Sequence, residues 1–344
     1  MPTLQRYADD MPISSSQSGF TDVLDWLGFL AAREYLAQLL VNVHAVTAQE
    51  AANRCTQVIP HVRIAAAYIR QSLEGPPDIS FLPAYYAILN LMKVYVLLGP
   101  RHADLAKNRW HGATYDPQGK DSRSVLTEEI VVKNGGVFPL FYETLTGSKL
   151  RRTPVRLRVG DFLHSVSGVW FEYNLATGQH PGVCNLAFDV LAIGGKHRLR
   201  CIVATPHPLP RGQLQCMRTF RQDPTNKNLY LGPFVTNSAP EVISAIRAGI
   251  RTELLYRVEP KRTYAMMTPS KILLPQELPI AFLFFYMSSV VRYRPEYFAR
   301  LRDSKFWPVL SSARLHSFLD FLLAFWSFMH KKNFYINAPL YSPG

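Results

Sequence analysis

Two positions in this chain combine a reactive side chain with a local setting that could use it. His111 stands between Trp110 and Gly112 in a stretch without helical period, where an imidazole could act as a general base. Arg292 and Tyr293 close a long apolar run, and an arginine held there could grip a phosphate or a carboxylate. Each has a plainer reading, which the sequence favours. His111 would be bonded to backbone, and Arg292 would cap carbonyls freed by the break at Pro295 or pair with Glu296 or Asp320. Both are carried forward as catalytic candidates.

Other motifs are weaker. Arg54/His61, Arg158/His164 and Arg200/His207 each place a histidine a short gap after an arginine, as in HEPN-type ribonucleases. A chain this rich in arginine yields such pairs by chance, and Pro60 interrupts the first. Glu259-x-Lys261 is the nearest match to a metal-dependent nuclease motif, but Pro260 spoils the strand and no second acid accompanies it. The run Lys133 to Pro139 demands a turn at Asn134-Gly135-Gly136, whose N–H groups could cradle an anion. No Walker A loop, G-x-G-x-x-G, G-x-S-x-G, H-E-x-x-H or EF-hand loop occurs. Cys55, Cys184, Cys201 and Cys216 form no C-x-x-C pair and read as buried reduced thiols. No metal and no cofactor is expected.

Positive charge is the best functional lead. The net charge is +13, but it is uneven: residues 145–275 hold 18 Lys+Arg against 7 Asp+Glu, whereas residues 1–144 are slightly acidic. Lys149, Arg151, Arg152, Arg156 and Arg158 form one cluster, and Lys196, Arg198 and Arg200 a second, with Arg198 and Arg200 on one face of a strand; Arg218, Arg221 and Lys227 follow, with Phe220 and Tyr230 interleaved. Clustered arginines with aromatic neighbours neutralise phosphates and stack bases, so nucleic acid, RNA or DNA, is the expected partner. The same surface could dock an acidic protein.

These residues need a scaffold, and 344 residues with 48% hydrophobic and 18% charged side chains can build one. Residues 1–20 are polar, lack the apolar core of a leader and read as a flexible tail, which fits a cytoplasmic location. Residues 21–145 read as a helical part. It holds a helix from Thr21 to about His44, one from a capping box at Thr47-x-x-Glu50 that breaks or kinks at Pro60, and one from about Leu82 to Leu98. Residues 101–145 look irregular. Residues 146–275 read as a basic β-containing region: Val169 to Tyr173, Leu186 to Ile193, Leu199 to Ala204 and Leu254 to Val258 are β-prone, Gly194-Gly195 is a hairpin turn, and a short helix fits near Pro240 to Arg251. Residues 276–344 return to helix and should pack on the N-terminal helices. The apolar stretch Leu278 to Val291 is too short to span a bilayer and ends at Arg292, and Leu315 to Met329 is apolar on one helical face and interrupted by Asp320, so no membrane partner is expected.

Scattered pieces share a further pattern. They are Leu82-Pro83-Ala84-Tyr85-Tyr86 with Asn90-Leu91 and Lys93, His111-Gly112, Lys133 to Pro139, Gly160-Asp161-Phe162-Leu163, Tyr286-Met287-Ser288-Ser289 and Arg292 to Phe298. On these the chain resembles the YaaC-like proteins. It departs from them at Phe298, where tryptophan is expected, and at Ala113-Thr114, where the hydroxyl is shifted. The resemblance implies a bacterial intracellular protein on a helical scaffold and assigns no activity. The expected fold is therefore α+β, mainly α-helical, with a small basic sheet between helical halves. The expected function is nucleic-acid binding or an accessory role through the basic region. The alternatives are a HEPN-like or other nuclease, or a scaffold for an acidic partner.

Overall fold

A computed structural model describes residues 10–13, 19–76, 78–100, 102–107, 110–116, 124–150, 154–180, 182–205, 214–236, 238–251, 254–259, 262–266 and 272–336. Strand β1 (Asp10–Ile13) precedes helices α1 (Gly19–Leu30), α2 (Arg33–His44), α3 (Ala48–Glu74) and α4 (Phe81–Leu98). Strands β2 (Ala113–Asp116) and β3 (Glu129–Val132), helix α5 (Val137–Thr146), strand β4 (Val155–Arg158) and helix α6 (Trp170–Thr177) follow. Then come strands β5 (Val183–Ile193), β6 (Lys196–Ala204), β7 (Arg221–Gln222) and β8 (Leu229–Val235), helix α7 (Ala239–Gly249), and strands β9 (Leu255–Glu259) and β10 (Arg262–Met266). Helices α8 (Glu277–Tyr293), α9 (Pro295–Arg302) and α10 (Trp307–His330) and strand β11 (Asn333–Ile336) complete the fold. It is α+β and mainly helical.

Apolar residues surround α4 and α8 on every side, so both helices must be buried. They pack on each other through Phe81–Phe284 and Tyr85–Phe285, with ring centroids 5.8 and 5.5 Å apart. Helix α4 is long and apolar enough to cross a membrane, yet 83% of it lies inside the protein, as expected of a core helix. Helices α3, α5 and α10 sheathe this pair. The antiparallel sheet β2-β3-β4 joins the same core through Ile130, Val132 and Leu157.

A second core lies apart from the first. The antiparallel sheet β7-β8-β6-β5-β10-β9 gathers Leu186, Phe188, Leu199, Cys201 and Tyr230 beneath α7 and its Ile246. Leu273 packs against both cores, and Arg251 donates to the Thr146 carbonyl at 3.5 Å. All four cysteines are buried thiols outside any disulfide.

Several sequence expectations change. The first helix is two, broken at residues 31–32. Pro60 sits inside a continuous α3, on a face exposed like Thr56, where water can bond the carbonyl that proline leaves unpaired. The stretch 101–145 is not irregular, since it supplies β2, β3 and α5. Val169 to Tyr173 is not a strand. Gly168, at φ +80°, brings the chain against α10, Gly178 ends the turn at φ +68°, and Ser312 donates to Glu172 at 2.8 Å, so tertiary contacts fix α6 despite β-prone residues. The residues read as a loose tail include β1, which pairs in parallel with β11. Within residues 146–275, β4 and α6 pack in the first core through Val155, Leu157, Tyr173 and Ala176, and the six-stranded sheet forms the second.

Asp320 of α10 lies with one carboxyl oxygen buried and unpartnered. Burial pushes its pKa up to about 7, against a smaller opposing pull from Ser167. A raised carboxyl pKa stabilises the fold below about pH 4 and loses that contribution as pH climbs towards about 7. Asp320→Asn should therefore raise Tm at pH 8 and change it little near pH 4, as measured by thermal melts across pH.

Candidate functional site

The site begins with two glycines. The segment 110–112 is zipped to the turn 133–138: Lys133 N–H donates to Gly112, Val137 N–H to Trp110 and Phe138 N–H to His111, each at 2.9 Å. Gly136, at φ +101°, lies so close that a Cβ there would sit 2.4 Å from Gly112 Cα. Only glycine allows this approach. The zipper also occupies the first N–H groups of α5, Val137 and Phe138, so part of the segment Lys133 to Pro139 serves as the structural turn that the sequence favoured over an anion nest.

The second component is the end of α8. Pro295 expels Arg294 from the helix, to φ −143° and ψ 59°. Two residues earlier, Arg292 donates from Nε to the Ser288 carbonyl and from Nη1 to the Tyr86 hydroxyl, both at 3.2 Å. Its guanidinium lies 4.9 Å from the Tyr293 ring centroid. Of the partners the sequence offered, Arg292 takes a backbone carbonyl, and among the described residues neither Glu296 nor Asp320 bonds it.

These parts enclose a cleft of about 310 Å³. Trp110, His111, Lys133, Arg292 and Tyr293 surround it, with Phe285 and Ser289 of α8 and Ala113, Thr114 and Tyr115 of β2 completing the lining. No carboxylate is among the lining residues. Lys133 lies 6.0 Å from the Trp110 ring centroid, and Trp110 and Tyr293 are 46% and 68% exposed. His111 and Arg292, noted separately in the sequence, thus share one cleft.

His111 is fixed from below by Tyr85 of α4. The Tyr85 hydroxyl and His111 Nδ1 are hydrogen-bonded, and the rings stack at 5.6 Å. Burial lowers the His111 pKa, and the positive charges of Arg292 and Lys93 lower it further. Burial likewise raises that of Tyr85. Tyr115 is fixed from behind. It donates to Glu128, which is 1% exposed, and accepts from Arg294 Nη1 at 2.7 Å, while Arg294 pairs with Glu128 at 3.3 Å. Sequence reading missed this ion pair, because nothing local links residues so far apart.

The basic candidates are dispersed. Arg151 and Arg152 lie outside the described residues. On β4, Arg156 pairs with Asp116 at 2.6 Å and Glu129 at 3.4 Å, and Arg158 meets Glu129 at 3.5 Å. On the other sheet, Arg200 grips Asp189 with two bonds. Arg198 donates to the Gly232 carbonyl at 3.2 Å and lies 5.4 Å from the Phe234 centroid. Lys196 is exposed at the Gly194-Gly195 hairpin. Among the Arg/His pairs, Arg54 bonds Glu50, and His61 bonds Asn90. Buried His164 bonds the Gly160 carbonyl, and His207 lies outside the described residues. So does Lys261 of the Glu259-x-Lys261 motif. Among the described residues, no group of three His, Cys, Asp or Glu side chains gathers as metal ligands.

The fold and site define a mainly helical α+β protein with a cationic, aromatic-rimmed cleft at the end of a buried helix. The chain belongs to the YaaC-like protein family, whose sequence profile matches residues 29–323. Neither the curated proteins nor the solved structures gave a match.

Removing one partner of a buried ion pair strands the other charge. Arg294→Met should destabilise the protein by about 3–5 kcal/mol, and adding Glu128→Gln should recover part of the loss, as read by chemical denaturation.

Proposed function

We propose that the protein is a nucleic-acid-binding accessory protein that seats one nucleotide unit in this cleft. The observation that carries the reading is the pairing of Lys133 and Arg292 around a lining without carboxylates, beside exposed Trp110 and Tyr293. Cations neutralise a phosphate, and an exposed ring offers a stacking face to any base. A volume of about 310 Å³ suits a mononucleotide or one unit of a single strand, not a duplex. The named bonds of Arg292 use Nε and Nη1 and leave Nη2 for a ligand. The basic residues of the middle region, Arg156, Arg158, Lys196, Arg198 and Arg200 among them, supply an attractive field for a polyanion. Their ion pairs reduce what each can give in direct contact.

The test is the affinity of labelled single-stranded RNA and DNA, a duplex and a 5′-mononucleotide at about 50 and about 200 mM salt. Single strands should bind and weaken steeply with salt. Arg292→Ala and Lys133→Ala should each cost about tenfold or more, and Trp110→Ala a similar amount through lost stacking. Equal affinity for the mononucleotide would identify a free nucleotide as the ligand. Absence of all binding, with an acidic protein captured through the basic strands, would replace the reading with a scaffold.

A further inference from the structure

We propose that Tyr85 holds His111 as the tautomer protonated at Nε2, so that His111 donates a hydrogen bond to the anion in the cleft and does not act as a base. The inference rests on the cleft being the ligand site.

The argument runs through one hydroxyl proton. Tyr85 is 0% exposed on α4, among Phe285, Tyr86 and the His111 ring. Among the described residues its hydroxyl has one hydrogen-bond partner, His111 Nδ1. A buried phenol that did not donate there would leave its O–H without an acceptor in apolar surroundings, an uncompensated loss. The phenol therefore donates and Nδ1 accepts. A neutral imidazole that accepts at Nδ1 carries its proton at Nε2. Arg292 on α8 and Lys93 on α4 oppose a second proton on the ring.

Position completes the case. The Trp110, His111 and Gly112 carbonyls are pinned to the 133–138 turn, which fixes the backbone that carries the imidazole, and the ring itself is held by its bond to Tyr85 and by stacking on it with 25° between planes. Nε2 has no hydrogen-bond partner among the described residues, while the side chain lines the cleft with Lys133 and Arg292. A neutral N–H in a cleft that Lys133 and Arg292 also line suits an anion: it adds a directed donor without a further charge. The same arrangement leaves no lone pair on Nε2 to take a proton from a ribose hydroxyl. Tyr85 is thus a positioning residue, acting through the imidazole.

The direct test is long-range ¹H–¹⁵N spectroscopy of the full chain labelled at histidine, near neutral pH, without and with a 5′-mononucleotide. His111 should show a pyridine-like Nδ1 and a pyrrole-like Nε2. Tyr85→Phe should shift the ring towards a tautomer mixture. A pyridine-like Nε2 in the wild-type protein would overturn the proposal whether or not any ligand binds. Binding supplies the second readout. His111→Ala should weaken the mononucleotide about tenfold, and His111→Gln, which restores an N–H at the same place, should recover most of that loss. Failure of glutamine to rescue, or strand cleavage abolished by His111→Ala, would count against a donor role. Should the tautomer be as proposed while no nucleotide binds, the lock stands and the nucleotide reading fails.

Discussion

A helix buried on all sides can place charge only at its ends, and this constraint shapes the site at the end of α8. Fourteen consecutive residues of that helix, Glu277 to Val290, are buried, and the serines among them turn their hydroxyls back to the Phe285 carbonyl. Where the helix stops before Pro295, two arginines emerge with different surroundings. Arg294 leaves the helical path and meets buried Glu128, so its charge is spent inside the fold. Arg292 stays on the helix, bonds only neutral oxygens among the described residues and faces a lining without acids. The environment, not the residue type, decides which of the two can receive an anion.

The opposite wall depends on backbone contact. Gly112 and Gly136 let two chain segments touch, and this brings the His111 ring down onto Tyr85 of α4. Helices α4 and α8 are neighbours in the core, so the imidazole and the guanidinium are referenced to one rigid pair. Tyr85 and Tyr86, adjacent on α4, divide the work: the first bonds His111 and the second bonds Arg292. The six-stranded sheet has its own core and contributes no side chain to the cleft lining.

Much of this was legible in the sequence, in fragments. The long apolar runs announced the buried helices, and Gly194-Gly195 announced the hairpin between β5 and β6. His111, Arg292 and the Lys133 to Pro139 turn stood out singly. Nothing in the spacing said that they meet, because long-range packing brings them together. Charge counting carried no pairing information. Arg156 and Arg158 meet Asp116 on β2 and Glu129 on β3, and Arg200 lies opposite Asp189 in strand register, so acids on other strands offset part of each cluster. Helix α6 was missed because the contacts that fix it come from α10.

The central claim is that the cleft, and not the basic strands, holds the nucleotide unit. Photo-crosslinking of a thiouridine-containing single strand to the full chain, with adducts mapped by mass spectrometry, tests it most directly. The account predicts adducts on the peptides carrying Trp110 and Tyr293, lost on Arg292→Ala. Adducts confined to the strands carrying Arg198 and Phe234, unchanged by that substitution, would contradict it.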